Sequence, residues 1–241
     1  MNETKVKTMK IWHAWLIAVG LFLLQTILYK LGNVLCRSFG FFDHAMLFKI
    51  DAIDNAIPLT PFFVIFYVSS YVLWFITPVI VFKTKREHFL DYVMGMLLAY
   101  FIEFILFIFV PTYMDREAEG ILQATSEGGV LNQLLHFVYT MDGGKIAWNL
   151  FPSGHCLMSI YSYLGVARQK ELSLWYRIPW LIWAILICLS TVLVKQHYVL
   201  DIVGGVGIAL IAFVITYFVK PGKRIMKKYQ NKQKVAMDTK E

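Results

Sequence analysis

The chain has 241 residues, of which 58% are hydrophobic, and its mean hydropathy is +0.59. A soluble globular chain is about half apolar, and here the excess is gathered in long blocks, which excludes an ordinary soluble domain and indicates a membrane protein. The net charge of +7 does not indicate a nucleic-acid partner, because the basic residues are concentrated in alternate connections between the apolar blocks.

Six apolar segments are candidate membrane spans, since a helix needs roughly 20 apolar residues to cross a bilayer. They cover residues 11–28, 61–82, 90–110, 153–167, 175–194 and 198–219. Hydropathy supports the short, polar-edged fourth segment least. The first exceeds the apolar core of a signal peptide, and no small-residue cleavage site follows it, so we expect an uncleaved anchor. The predicted fold is all-α: a polytopic membrane protein built as a bundle of six transmembrane helices.

The distribution of basic residues predicts the topology. They precede the first span, follow the last, and fill the connections between spans two and three and between spans four and five, as Lys5, Lys7, Lys10, Lys83, Lys85, Arg86, Arg168, Lys170, Arg177 and the tail cations. The positive-inside rule then places segment 1–10 and tail 220–241 in the cytoplasm, on either side of a membrane domain at 11–219. We expect a plasma-membrane protein, in a bacterium the cytoplasmic membrane, with a polar, disordered tail.

Two connections on the opposite side carry recognisable features. Residues 30–60 mix aromatic and acidic side chains, and they form either a simple connector or the wall of a binding site. In the later connection, apolar residues recur at helical spacing, which predicts a short amphipathic helix at the membrane surface, with His136 off its apolar stripe. That stripe consists of Leu131, Leu134, Leu135, Val138 and Met141.

Several residues inside the apolar segments have two readings. Glu103 lies in the third span, where an ionisable residue is either functional or a hydrogen-bonded structural carboxyl. Gly204, Gly205 and Gly207 lack the lysine of a nucleotide-binding loop, so close helix packing is the better interpretation. The three cysteines are scattered and indicate neither a disulfide framework nor a metal site.

One constellation carries possible chemistry. Pro152-Ser153-Gly154-His155 opens the fourth apolar segment, and His197 and Asp201 stand at the start of the sixth. Two crossings separate them, so they return to the same side of the membrane. Pro152 and Ser153 are typical of a helix start, whose free N–H groups bind phosphate oxygens, and Gly154 permits close approach of a ligand.

The histidines suit phosphate chemistry. His155 is able to donate a proton to a leaving oxygen. His197 and Asp201 lie four residues apart, on one face of a helix, where the carboxylate holds the imidazole in one tautomer and strengthens its other nitrogen as a nucleophile. Each piece alone is common, but together, at matching span ends, they form a strong signal.

These residues resemble the type-2 phosphatidic acid phosphatase superfamily, membrane enzymes that cleave or transfer phosphate esters without metal. Pro152 to His155 match its second motif fully. Ser190, His197 and Asp201 match its third, with Thr191 in place of an arginine. The first motif, Lys, six residues, Arg-Pro, is poorly kept, and Arg116 is its nearest candidate. Pro-Thr-Tyr before Arg116 and His-Tyr before Asp201 resemble the branch of inositol-phosphorylceramide and sphingomyelin synthase-like phosphotransferases.

The resemblance implies roles for the matched residues. His197 would attack phosphorus and form a phosphohistidine, Asp201 would orient it, and His155 would protonate the leaving lipid oxygen. Ser153 and Gly154 would hold the phosphoryl oxygens. Water or a lipid hydroxyl would then accept the phosphoryl group, with no metal or other cofactor.

The missing motif cations need a replacement. Arg116 is our first choice because its planar fork grips two oxygens, followed by Lys195 and Lys145. All three are alternatively interfacial cations that face lipid head groups.

Two functions remain open at this point. The chain is either an integral membrane lipid phosphatase or phosphotransferase with its active site on the extracytoplasmic side, or an inactive relative that binds or transports lipid. The expected partners are the bilayer and a phospholipid or polyprenyl phosphate, and not nucleic acid. The sequence does not identify the lipid substrate or the oligomeric state. It also does not distinguish hydrolysis of the phosphate ester from transfer of the head group.

Overall fold

The protein is mostly helical. The computed structural model describes residues 9–238, with the side chains of 232–234 and 236–238 excepted, and about 75% of the chain is helical. The α-helices are α1 (Ile11–Ser38), α2 (Asp51–Asp54), α3 (Val64–Thr84), α4 (Arg86–Phe109), α5 (Ile121–Ser126), α6 (Val130–Met141), α7 (Gly154–Ala167), α8 (Leu174–Leu193), α9 (Val199–Val219) and α10 (Pro221–Asp238). Two 3₁₀ turns, Phe41–His44 and Pro61–Phe63, and two strands, β1 (Tyr113–Asp115) and β2 (Ile146–Trp148), complete the described part.

Five helical stretches are long and apolar enough to cross a membrane, namely Ile11–Ser38, Pro61–Thr84, Arg86–Phe109, Leu174–Leu193 and Val199–Asn231. They overlap five of the six predicted spans. The fourth predicted span is the helix α7, which has 14 residues and is therefore about 21 Å long. Because the hydrocarbon core of a bilayer is about 30 Å thick, the crossing by α7 stays a prediction.

The helix α7 lies inside the bundle. It packs against α3, α8 and α9 and more lightly against α4, while α1 packs on α3 and α4. The main core between these helices contains Leu73, Tyr92, Tyr100, Leu157 and Tyr161. The outer helix faces keep large apolar side chains exposed, such as Trp15 of α1 and Phe218 of α9, as expected for surfaces that contact lipid.

A layer of connections covers one end of the bundle. This connection layer comprises residues 39–63, 110–153 and 194–198, and it has its own core around Val64, Met114, Leu135, Tyr139 and Tyr198. Within it, β1 and β2 pair antiparallel, with Tyr113 opposite Trp148. The all-α prediction missed this two-stranded sheet, because strands of three residues are too short to show a period in the sequence.

The amphipathic helix predicted in this layer is confirmed as α6. Four residues of its apolar stripe, Leu131, Leu134, Leu135 and Val138, pack into the layer's own core, whereas Met141 is exposed. His136 is exposed, as predicted.

The tail was wrongly expected to be disordered. Residues from Pro221 form α10, which packs on α4 at the end opposite the connection layer. The N–H of Gly222 donates to Oδ1 of Asp91 at 2.7 Å, and Arg168 pairs with Asp91 at 2.7 Å. These buried contacts fix the start of a segment whose own composition is polar. Residues 1–8 of the predicted N-terminal segment and 239–241 of the tail lie outside the described residues.

Candidate active site

The start of α7 is tied directly to α9. Ser153 caps α7, and its Oγ accepts the N–H of Cys156 at 3.4 Å. The N–H of Ser153 donates to the carbonyl oxygen of Asp201 at 3.0 Å. The second and third motifs are thus joined by a backbone hydrogen bond, although almost fifty residues separate them in sequence.

A tight turn between α8 and α9 places His197. The carbonyl oxygen of Thr191 accepts the N–H groups of Gln196, at 2.9 Å, and His197, at 3.1 Å. Lys195 has a φ of 49°, in the left-handed region that reverses the chain direction. The turn therefore places the imidazole of His197 between the end of α8 and the first turn of α9.

His197 and Asp201 form the expected pair. Nδ1 of His197 lies 3.3 Å from Oδ2 of Asp201, and the same oxygen accepts the N–H of Tyr198 at 2.9 Å. Burial lowers the pKa of His197, but the hydrogen bond and charge of Asp201 outweigh it, so the pKa is raised above 6.5. With Nδ1 held, Nε2 is the nitrogen available for attack on phosphorus.

His155 faces this pair from within an aromatic cluster. Its ring centroid is 6.5 Å from that of His197, and it stacks on Tyr67 at 4.0 Å, with Trp74 at 5.0 Å. Nε2 of His155 is buried and has no hydrogen-bond partner within residues 9–238. This unpartnered nitrogen points to no protein group of the described residues and is therefore available to a substrate oxygen.

Close approach of the helices depends on two of the three α9 glycines. A Cβ on Gly205 would lie 2.4 Å from the carbonyl oxygen of Ser153, and one on Gly204 would meet the ring of Phe151. Gly207, which was also predicted to allow close packing, has no atom within 4 Å of that position. The packing interpretation holds for Gly204 and Gly205 and is wrong for Gly207.

Arg116 is fully buried, with a relative exposure of 0%. Its Nη1 donates to the carbonyl oxygens of Asp142, at 2.9 Å, and Gly144, at 3.0 Å. Its Nη2 donates to Oδ2 of Asp142 and to Oε1 of Gln196, both at 2.6 Å. The guanidinium therefore holds the loop before α7 and the residue before His197, and its Nε lacks a partner in the described part of the chain.

The other candidate cations also have protein partners. Nζ of Lys195 donates to the carbonyl oxygen of Asp54 at 2.8 Å, and burial lowers the pKa of that lysine. Lys145 forms an exposed ion pair with Glu117 at 2.9 Å. Thr191, at the arginine position of the third motif, donates to a carbonyl oxygen inside α8.

The structure brings together His155, His197, Asp201, Ser153 and Gly154, at one end of the bundle. Sequence reasoning missed the aromatic cluster around His155 and the role of Asp142, which also accepts the hydroxyl of Tyr29 at 3.0 Å. Tyr67, Tyr71 and Trp74 share one face of α3 by helical spacing, but an aromatic stripe in an apolar helix is indistinguishable from ordinary core.

One of three comparisons with known proteins gives a match. A family model described as the PAP2 superfamily matches residues 37–215, most of the chain. This range includes all of the motif residues and every candidate cation. No curated protein and no solved structure matches significantly.

Proposed function

The chain belongs to the PAP2 superfamily, whose membership indicates a phosphatase or phosphotransferase, and from that premise we propose that it cleaves a lipid phosphate ester through a phosphohistidine. The observation that carries the proposal is the arrangement of the two imidazoles. His197 is paired with Asp201 at 3.3 Å, and His155 faces it with its ring 6.5 Å away. This spacing leaves room for a phosphoryl group between a nucleophile and an acid.

In the first step, Nε2 of His197 attacks phosphorus while the bond from phosphorus to the lipid oxygen breaks. His155, protonated at the outset, gives its proton to that leaving oxygen. The free N–H groups at the start of α7, beyond Ser153, stabilise the negative charge on the equatorial oxygens. The products are an alcohol and a phosphohistidine.

In the second step, neutral His155 takes a proton from water or from a lipid hydroxyl, whose oxygen then attacks phosphorus. The bond between phosphorus and His197 breaks, and the imidazole is restored. Asp201 keeps Nδ1 protonated throughout, so the same nitrogen serves in both steps. Hydrolysis and transfer differ only in the acceptor, and the motif resemblance to phosphotransferases of the sphingomyelin synthase-like branch supports transfer.

A lipid substrate is supported by the surroundings of the site. The catalytic residues lie where apolar helices meet the connection layer, at the depth of a head group. We propose that α7 completes a six-span bundle despite its length, since its partners α3, α8 and α9 are candidate spans. The basic connections support an extracytoplasmic site, cytoplasmic termini and the plasma membrane.

The test is phosphate release from short-chain phosphatidic acid by purified protein in detergent. Wild type should release phosphate and yield an acid-labile phosphoprotein, and His197→Ala should do neither. A folded wild-type protein without turnover on phosphatidic acid, polyprenyl phosphate or a head-group donor would overturn the proposal.

A second function is favoured by a specific observation. Arg116, Lys195 and Lys145 each engage protein acceptors, and Thr191 carries no charge. A site with little free positive charge fits a relative that binds or transports lipid without cleaving it. Lipid binding by wild type that is unaffected by His197→Ala, with no phosphoprotein, would support this alternative.

A further inference from the structure

Two polar side chains from other helices converge on the first residue of α7. A Cβ placed on Gly154 would lie 2.8 Å from Oε1 of Glu103 and 3.1 Å from Nε2 of Gln25. Glu103 belongs to α4 and Gln25 to α1. The start of α7, where the phosphate is proposed to bind, therefore has a carboxyl and an amide beside it that none of the catalytic steps uses.

Glu103 is buried, and its carboxyl is hydrogen-bonded by the side chain of Gln25, but one of its two oxygens is left unpaired within residues 9–238. Its relative exposure is 2%, and its Oε1 has no hydrogen-bond partner among the residues that the structure describes. The hydroxyl of Tyr100, one turn earlier in α4, is likewise buried and, within the same described range, unpartnered. Burying a polar group without a hydrogen-bond partner costs free energy. The unused hydrogen-bonding atoms of Glu103 and Tyr100 therefore indicate a missing ligand.

The depth of Glu103 fits the backbone of a lipid. It stands six residues before the end of α4 at Phe109, about 9 Å below that end. A lipid whose phosphate lies at the start of α7 has its backbone next to that phosphate, on the apolar side. Beyond Glu103, a cavity lined by Phe22, Trp74, Tyr100 and Met158, among others, lies between α1, α3, α4 and α7.

This cavity lies next to the active site. Trp74 lines it and also contacts the ring of His155, and Tyr100 connects it to the level of Glu103. Its lining is almost entirely apolar, but it is too narrow to hold a hydrocarbon chain unless side chains move. A single lipid would thus place its phosphate at the start of α7 and its polar backbone beside Glu103.

We propose that Glu103 and Gln25 form a subsite for a hydroxyl or amide group that the substrate lipid carries next to its phosphate ester. This proposal rests on the proposed function of the same site. Oε1 of Glu103 accepts the hydrogen of the lipid's donor group, and the amide nitrogen of Gln25 donates to its oxygen. The subsite selects lipids with a free donor there over lipids in which that group is absent.

The test compares lysophosphatidate, which has a free hydroxyl next to the phosphate-bearing carbon, with its 2-deoxy analogue. Wild type should prefer the hydroxylated lipid at least about tenfold in kcat/KM, because an analogue that lacks the hydroxyl leaves buried polar groups unpaired. Glu103→Leu should reduce this ratio to near one. Glu103→Gln keeps a carbonyl acceptor and should retain most of the preference.

A binding measurement separates this proposal from the proposed function. Dissociation constants of both lipids are measured with His197→Ala, with and without Glu103→Leu. A preference that is present in the first protein and absent from the second supports the subsite even if wild type has no turnover, in which case only the proposed chemistry fails.

Asp91→Asn is the matched control, since Asp91 is a buried acid in the same helix, paired with Arg168 at the other end of the bundle. It should leave the ratio between the two lipids unchanged, whatever it does to stability. Equal loss of both rates in Glu103→Leu, with an unchanged ratio, would show that Glu103 only supports packing. A wild-type protein that binds and cleaves both lipids equally would also overturn the proposal.

Discussion

The pH dependence of turnover belongs to a single pair of side chains. In the proposed mechanism His197 attacks phosphorus only when it is neutral, and its pKa is raised above 6.5 because Asp201 outweighs the effect of burial. Turnover should therefore rise with pH through this raised pKa. Asp201→Asn removes the carboxylate charge, so burial is left to lower the pKa of His197. The acidic limb of kcat/KM should therefore move to lower pH, and the maximum should fall at least about tenfold.

The measurement is kcat/KM against pH for wild type and Asp201→Asn with one substrate. The phosphate of the substrate titrates near pH 6, but it does so equally with both proteins, so the difference reports His197. An acidic limb that stays in place, or moves to higher pH, would contradict the pairing.

His155 is expected to act on the leaving group. His155→Ala should slow turnover of an alkyl phosphate by about 10²–10⁴-fold, the usual effect of a lost general acid. A nitrophenyl phosphate needs no proton on its leaving oxygen, so its deficit should be much smaller. Equal losses with both substrates would argue against His155 as the acid.

Substitution of Arg116 is expected to affect both turnover and thermal stability. Arg116→Ala removes four hydrogen bonds that hold Asp142, Gly144 and Gln196. Turnover should fall at least tenfold, about 1.4 kcal/mol of transition-state stabilisation, and the thermal midpoint should fall as well. Arg116→Lys should rescue neither fully, because an ammonium lacks the planar fork.

Lys145→Ala is the control for Arg116→Ala. Its ion pair with Glu117 is exposed on both sides, and such pairs contribute about 0–1 kcal/mol. Stability should therefore change little. Wild-type turnover by well-folded Arg116→Ala would show that Arg116 neither binds phosphate nor positions the site.

At the scale of elements, the contact between α7 and α9 should be sensitive to substitution of the glycines in α9. Gly205→Ala would place a methyl group 2.4 Å from the carbonyl oxygen of Ser153, which forces the two helices apart. A loss of about 1–3 kcal/mol is typical of such overpacking, and turnover should fall because Ser153 and Asp201 separate. Gly207→Ala has open space and should be neutral or slightly stabilising. Thermal unfolding and phosphate release in detergent check both.

The same elements show what the sequence was able to predict. The long helices followed from the length of the apolar segments, α6 followed from apolar periodicity, and the meeting of His155 with His197 followed from counting spans. The pairing of β1 with β2, and the cluster of Tyr67 and Trp74 around His155, depend on contacts between distant segments. The tail was misjudged because Gly222 is held by Asp91, far away in the sequence.

At the scale of the molecule, the basic connections predict which end faces outward. Glu127→Cys, in the connection layer, should react with an impermeant thiol reagent on intact cells, and Lys170→Cys, at the opposite end, should react only after permeabilisation. Both residues are exposed, and the native cysteines Cys36, Cys156 and Cys188 are buried, so background labelling should be low. The reverse pattern would put the active site on the cytoplasmic side.

The hydrogen bond from Ser153 to Asp201 also bears on biosynthesis. The ribosome makes α7 before the α8–α9 hairpin, so an emerging chain carries Ser153 and His155 before His197 and Asp201 exist. In the proposed mechanism, such a nascent chain has the helix start that binds phosphate and the acid, but not the nucleophile. The proposed chemistry therefore begins only after the hairpin has docked on α7.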